Sequence, residues 1–318
     1  MRITDQIFIN LYIGHDFADV TGFKSGKTRA VVPPEYQDDI DAIRRECTSI
    51  LVNNKVDEFS IKRDKTLFRV TAFANTDGKT VFMIRRPPGR VMEFSQLGFG
   101  DDAIRILLHP DLRGIVGIVG EMGSGKTTAA ASTTKGRLEA LGGLAVAIED
   151  PPETDLDGVH GNGRCISVEA RADTGGYKSA VKKAMRSGAD LIYLGEVRDE
   201  DPAEQVVLGG NSGHLILTTW HAESHEDAIK RLIAMCPTAM REPEAMLASG
   251  LAAIVHVSLD ERPVKTLTGT KMDKFLRYEI LEVSGHREVQ NIIRMRQFHQ
   301  LNGAYEEQLA KRKNTRII

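Results

Sequence analysis

Gly120-Glu121-Met122-Gly123-Ser124-Gly125-Lys126-Thr127 stands between the apolar run Gly114 to Val119 and an alanine-rich stretch that begins near Thr127. The octapeptide fits G-x-x-x-x-G-K-[ST], and a strand before it and a helix after it are the setting that pattern requires. Each residue type has a physical reason. Glycines let the backbone turn so that several N–H groups converge on one phosphate, and the helix dipole adds positive potential at the same place. Lys126 is spaced to bridge outer phosphates, and Thr127 to offer its hydroxyl to Mg²⁺. The expected contact set is Glu121, Met122, Gly123, Ser124, Gly125, Lys126, Thr127 and Thr128. A second Ser-Gly-Lys-Thr, at Ser25-Gly26-Lys27-Thr28, has Gly22 one residue too close and a proline break instead of a helix. It reads as a surface turn, because the helix N-terminus that completes an anion site is missing.

Outward from the loop, apolar runs at Gly114 to Val119, Leu144 to Ile148, Leu191 to Leu194, Leu215 to Thr219 and Ala253 to Val257 alternate with helical stretches. That rhythm predicts a mostly parallel sheet covered on both faces. Ligands of such sheets bind at the carboxyl ends of the strands, so the residues there are informative. One run ends in Glu149-Asp150-Pro151-Pro152-Glu153, where an acid can orient and deprotonate a water. A second delivers Gly195-Glu196-Val197-Arg198-Asp199, an acid at a place that normally holds Mg²⁺, with glycine where a nucleotide would crowd the backbone. A third lies between His214 and His221, and a seven-residue separation along a strand is too long for the two rings to share a metal.

The N-terminal part is different. Residues 1 to about 98 hold short β-rich runs, with Asp77-Gly78 as a hairpin turn, and a helix from Tyr36 to Val52. A small α+β domain is expected there, with Arg85-Arg86-Pro87-Pro88-Gly89-Arg90 as a stiff linker to a second domain over residues 99–318. The 318 residues suffice for two cores, and 41% hydrophobic with 27% charged residues excludes a disordered or fibrous chain. The balance of 42 Lys+Arg against 44 Asp+Glu, a net charge of −2, argues against direct DNA binding. Lys311-Arg312-Lys313 is a small basic cluster that reads as a solvated terminus. No apolar run approaches the roughly 18 residues of a membrane span, and Asp5 interrupts any leader, so a cytosolic protein is expected. Cys47, Cys165 and Cys236 form no C-x-x-C pair, and no zinc is expected.

Taken in order, these boxes carry a resemblance. The chain resembles the motor ATPases of type IV pili and of type II and type IV secretion. These are recognised by a Walker A loop (Gly120 to Thr127), an aspartate box (Ala147 to Glu153), a Walker B box (Leu194 to Asp199) and a histidine box (Gly213 to His221). The resemblance implies an α/β protein with an N-terminal PAS-like α+β domain followed by a C-terminal RecA-like P-loop ATPase domain. It further implies a homo-hexamer that binds ATP and Mg²⁺ between its domains and works on an inner-membrane platform protein, peripheral to that membrane. The family roles fall on Glu149 as catalytic glutamate, on Glu196 with Thr127 as the residues near Mg²⁺, and on His214 and His221 as histidine-box residues. Arg69 and Arg85 match the N-terminal arginines that stabilise transferred charge, with Arg86 adjacent to the second. The short N-terminal region is similar to the pilus retraction branch and its type IVB secretion relatives. Asn291-Ile292-Ile293-Arg294 and His299-Gln300-Leu301 are similar to the retraction signature, while Glu288-Val289-Gln290 departs from the Ala-Ile-Arg that opens it.

Two other readings stay open at this level: a P-loop small-molecule kinase using the same phosphate cradle, and a DNA-translocating ring. The kinase reading explains the Walker A loop but not the boxes around Glu149 and His214.

Overall fold

The computed structural model describes residues 2–25, 28–63, 66–86, 91–266 and 269–315. The second Ser-Gly-Lys-Thr copy and the Arg85 to Arg90 linker fall partly outside them. The chain divides into two units, Met1–Arg90 with Asp150–Asp155, and Val91–Glu149 with Leu156–Ile318.

In the first unit, β1 (Asn10–Ile13), β2 (Ala18–Thr21), β3 (Arg29–Val31), β4 (Glu58–Arg63), β5 (Thr66–Ala74) and β6 (Thr80–Arg85) form an antiparallel sheet in the order β3-β2-β1-β6-β5-β4. Its core joins Leu11, Ile13, Val20, Phe59, Ile61, Phe68, Val70, Phe82 and Ile84 to Ile40, Ile43 and Cys47 of α1 (Gln37–Asn54). The period-two alternation that buries Phe68 and Val70 sends Arg69 to the other face. Arg85 lies directly across from it in register. The expected β5–β6 hairpin is present, and its turn is organised by Asn75, whose Oδ1 accepts from the N–H of Asp77 at 3.0 Å and of Lys79 at 2.8 Å. Gly78, at φ +73, supplies the left-handed position.

In the second unit the elements run α2 (Asp101–Leu107), β7 (Gly114–Gly120), α3 (Lys126–Leu141), β8 (Gly143–Glu149), β9 (Gly158–His160), β10 (Gly163–Glu169), α4 (Gly176–Arg186), β11 (Leu191–Leu194), α5 (Glu200–Gly210), β12 (Leu215–His221), α6 (His225–Met235), α7 (Pro243–Gly250), β13 (Leu251–Thr266), β14 (Gly269–Glu282), α8 (Arg287–Arg294) and α9 (Leu301–Thr315). Among the described residues the sheet has the order β14-β13-β7-β12-β11-β8-β10-β9, parallel from β13 to β10 with antiparallel edges. All five apolar runs read from the sequence are strands of this sheet. One core lies under α2 and α3 and another under the later helices, so both faces are covered. The boundary differs from the expected residue 98. Val91, Phe94 and Leu97 pack into the second unit's core, which brings the start of that unit to Val91.

The long β13–β14 pairing was not legible as such, since only Ala253 to Val257 forms an apolar run. β7 pairs with β13 only as far as His256, and beyond that point β13 and β14 continue as a two-stranded ribbon through Leu259↔Leu276, Glu261↔Lys274 and Arg262↔Asp273. The basic tail also differs from expectation. Arg312 lies in α9, where it donates to the Ile280 carbonyl at 2.9 Å and pairs with Glu282 at 2.8 Å. Gln308 exchanges two hydrogen bonds with the backbone of Glu282, at 2.8 and 2.9 Å. Beside this contact His225 is buried against Tyr305, its Nε2 3.2 Å from the Glu279 carbonyl. Burial above all holds its pKa down at about 4. Cys47 and Cys165 are buried, and burial pushes both thiols up to about 12.

The sole tryptophan, Trp220, is 1% exposed, and its ring fills the space over Gly117 of β7. A Cβ at Gly117 would lie 2.0 Å from the ring. Gly117→Ala should therefore lower the thermal unfolding midpoint, by an amount corresponding to about 1–3 kcal/mol of overpacking. An unchanged midpoint in a calorimetric scan would show that the ring has room to move.

Candidate functional site

The carboxyl ends of β7, β12, β11 and β8 lie side by side, and the residues that leave them form the site. The loop after β7 turns at Gly123 (φ +75) and Gly125 (φ +90), and α3 starts at Lys126. A Cβ at Gly120 would lie 2.2 Å from the Val257 carbonyl, so no other residue fits there. Thr127 and Thr128 fall in the first turn of α3.

Lys126 is buried at 6% exposure, and its ammonium donates to the Glu121 carbonyl at 2.7 Å and to His221 Nδ1 at 3.3 Å. A lysine ammonium can only donate, so Nδ1 is the acceptor nitrogen. The proton then sits on Nε2, which faces Glu196 Oε1 at 3.3 Å. The other Glu196 oxygen accepts from Arg198 Nε at 2.6 Å. A continuous chain thus runs from the loop lysine through the imidazole to the acid after β11. Burial first, then the neighbouring Lys126 charge, holds the His221 pKa below its ordinary 6.5. Burial lowers that of Lys126 as well, with Glu196 opposing.

Glu149, at the tip of β8, is 4% exposed. A Cβ on Gly195 would lie 2.8 Å from Glu149 Cγ. The glycine therefore makes room for this side chain, where the sequence suggested room for a nucleotide. The Gly195 backbone is fixed on both sides: its N–H donates to the Ile148 carbonyl at 2.9 Å, and its own carbonyl accepts from the Thr219 hydroxyl at 2.8 Å. Thr219 and Arg198 support the site and were missed as supporting residues. Their signals were present, a hydroxyl on an otherwise buried strand and a cation two residues beyond the acid.

The other expected site residues are His214, Arg69 and Arg85. His214 precedes β12 at its amino end, seven residues or roughly 20 Å from His221. Its Nε2 lies 3.3 Å from the Met185 carbonyl, and the fold does not bring it to the phosphate loop. Arg69 and Arg85 belong to the first unit. Arg69 forms ion pairs with Glu58, at 3.3 Å, and with Glu153, while Arg85 is exposed beside it. Arg86 is engaged within its own unit. It donates to the Thr4 and Gln6 carbonyls and lies over the rings of Phe8 and Phe68. Of the two adjacent arginines, Arg85 is the one turned to solvent.

The loop fits a bound phosphate on its own chemistry. Ser124 Oγ is buried with no hydrogen-bond partner among the described residues, and Lys126 is held beside it in sequence at the helix start. Among the described residues no three His, Cys, Asp or Glu side chains gather into a metal cage. A magnesium ion with one hydroxyl, one carboxylate and phosphate oxygens as ligands needs no such cage.

A parallel α/β sheet with a glycine-turned phosphate loop and acids at neighbouring strand ends defines a P-loop protein. A family model described as type II/IV secretion system protein matches residues 54–305, and the chain belongs to that family. A type IV pilus retraction ATPase of Pseudomonas aeruginosa, PilT, is 28% identical over 241 residues, 75% of this chain and 66% of that one. The type IV pilus ATPase PilU of the same organism is 30% identical over 62% of this chain and 50% of its own length. The chain thus aligns with no more than about two thirds of these relatives. Among solved structures, the pilus retraction motor PilT with bound ADP superposes with a TM-score of 0.72, at 22% identity over 95% of this chain and 89% of that one. The Legionella pneumophila ATPase DotB superposes at 0.66, with 16% identity over 93% and 84%. These superpositions show the shared mixed α/β fold with two sheets.

The site carries its own pH dependence. His221 has a folded-state pKa below 6.5, so the unfolded chain takes up its proton first as pH falls. Stability from the neutral imidazole is complete above 6.5 and is lost as pH drops through and below that value. Thermal unfolding followed downward through pH 6.5 should show a shallower acid-side decline for His221→Gln than for wild type. Equal slopes would show that the imidazole does not titrate against Lys126.

Proposed function

We propose that the chain is an ATP-hydrolysing motor working as a ring of six copies, driving a type IV pilus in the manner of the retraction ATPases or a related secretion or conjugation machine. The observation that carries this reading is the Lys126–His221–Glu196 chain beside the Glu149 side chain housed over Gly195, all at adjoining strand ends next to the phosphate loop. The family match and the named pilus ATPases among the relatives support it. In this reading the first unit is PAS-like and the second RecA-like.

The roles follow from chemistry. Loop residues Glu121 to Thr128 hold the phosphates through backbone N–H groups, and Lys126 spans the outer two. Glu149 orients the attacking water and takes its proton. Thr127 and Glu196 would hold Mg²⁺, which would supply charge neutralisation at the phosphates. His221 is placed to register the γ-phosphate, because any ligand that draws Lys126 forward changes what its Nδ1 accepts. Arg69 and Arg85 serve as the arginines that stabilise transferred charge. Ligand-dependent differences in those contacts are the source of motion, since a ligand shifts a conformational equilibrium only by its differential affinity.

A motor of this kind meets the membrane through a partner, here an inner-membrane platform protein, from the cytoplasmic side. Among the described residues no helix is long and apolar enough to cross a membrane. The kinase and DNA-translocation readings are not favoured, because the family match extends over residues 54–305 and not over the phosphate loop alone.

The test is phosphate release and solution mass measured together. Glu149→Gln should reduce turnover by about 10²–10⁴-fold with ATP binding kept. Gly195→Ala should act in the same direction by displacing Glu149, and the wild type should sediment as a hexamer with nucleotide. Undiminished turnover in Glu149→Gln would move the base elsewhere. A monomer that phosphorylates an added metabolite would replace the motor with a kinase.

A further inference from the structure

The helix α4 differs from α3, α6 and α9 in how its charges are matched. On those three helices cations sit one turn from an acid: Lys135 lies 3.6 Å from Glu139, Lys230 2.6 Å from Glu226, Arg231 2.8 Å from Asp227 and Lys311 4.0 Å from Glu307. The eleven residues of α4, Gly-Tyr-Lys-Ser-Ala-Val-Lys-Lys-Ala-Met-Arg, include no acid. Lys178, Lys182, Lys183 and Arg186 are all exposed, and none of them has an ion-pair partner among the described residues. Lys178, Lys182 and Arg186 are four residues apart and so form one row, roughly 12 Å long at 1.5 Å per residue, with Lys183 beside it.

Folding does not call for this row. Like charges one turn apart oppose the helix that carries them. The helix dipole favours cations in the last turn, which accounts for Lys183 and Arg186, but Lys178 is the third residue of α4, where the dipole disfavours it. The face is nevertheless held in place. Ala180, Val181 and Ala184 are buried in the core beneath it, Ser187 Oγ donates to the Ala184 carbonyl at 2.8 Å, and His214 Nε2 lies 3.3 Å from the Met185 carbonyl. His214, which the fold keeps from the phosphate loop, thus finishes this helix.

The surroundings narrow the class of partner. Asp201 Oδ2 lies 3.1 Å from a Cβ position built on Gly176, so the row ends at its amino side against the acidic first turn of α5, Glu200 and Asp201. The chain as a whole carries −2. A lipid surface or a nucleic acid spreads negative charge over a wide area and would meet those acids as well as the row. A folded segment with a short row of its own meets the cations alone. Carboxylates four residues apart on a helix repeat at the same roughly 6 Å as the row on α4, so they match Lys178, Lys182 and Arg186 one for one.

We propose that the exposed face of α4 is a docking surface for an acidic helical segment of a partner protein, with Lys178, Lys182 and Arg186 each facing a carboxylate. This goes beyond the motor reading and is tested without nucleotide, so that either can fail alone. The probe is a labelled alanine-based helical peptide with three glutamates four residues apart, and its control is a peptide of the same composition with the glutamates scattered around the helix. Fluorescence anisotropy follows binding as salt is raised. The proteins are wild type, Lys178→Ala with Lys182→Ala and Arg186→Ala, the charge-keeping Lys178→Arg with Lys182→Arg, and Lys230→Ala with Arg231→Ala on α6. Unfolding midpoints and solution mass are recorded for each.

The expected result is affinity for the row peptide reduced about tenfold or more in the α4 alanine variant and kept in the arginine and α6 variants, with binding weakened by salt. The alanine variant should unfold at or above the wild-type midpoint, since it removes like-charge repulsion, and the arginine variant separates lost charge from lost folding. Equal affinity in wild type and the alanine variant, equal affinity for the two peptides, or loss of binding in the arginine variant would overturn the proposal. So would phosphatidylglycerol vesicles or duplex DNA that bind in place of the peptide with the same dependence on α4, since the row would then read bulk negative charge. A changed solution mass in the alanine variant would overturn it as well, because the occupant of the face would then be a second copy of this chain.

Discussion

The site depends on how closely β7 and β13 approach at the point where the phosphate loop begins. A side chain on Gly120 would collide with the Val257 carbonyl, so the loop leaves the sheet only because that residue has none. From there the backbone turns through Gly123 and Gly125 into α3, and Lys126 is set beneath the loop at its first residue. A buried cation so placed needs an acceptor network, and His221 and Glu196 supply it from the neighbouring strand ends. The close fit of β7 between β13 and β12 therefore orders the site as well as the sheet. Trp220 over Gly117 shows the same constraint a turn of the pleat below.

The tips of β11 and β8 repeat this logic with carboxylates. Glu149 occupies space that Gly195 leaves free, and the Gly195 backbone is tied to β8 by one hydrogen bond and to β12 by another. The position of this carboxylate follows from the absence of a neighbour's side chain.

The core strands were legible in the sequence because parallel strands buried on both faces read as continuous apolar runs. The phosphate loop was legible because its spacing is dictated by geometry. Where burial is one-sided that signal fades. The β13–β14 ribbon carries Glu261, Arg262 and Lys274 on exposed positions and forms no apolar run, so the ribbon beside the loop went unread. Gly163–Glu169, now β10, alternates buried and exposed residues over its first four positions and likewise forms no apolar run. Arg312 looked like tail charge because nothing local reveals that α9 folds it back onto β14. The two histidines looked equivalent because sequence gives their separation but not which end of the strand faces the ligand. Arg85 and Arg86 were separable only once the N-terminal turn was seen to hold Arg86.

The contact between α9 and β14 bears on what the sheet edge can bind. An unpaired outer strand offers a row of donors and acceptors to any extended peptide, and strand addition is a common route to both specific binding and aggregation. In this chain Gln308 and Arg312 occupy the Glu282 N–H and carbonyl and the Ile280 carbonyl, in effect imitating a further strand with side chains. Over Ile280 to Glu282 the outer strand is therefore already covered. An extended peptide could pair with β14 at Ile280 to Glu282 only by first displacing α9.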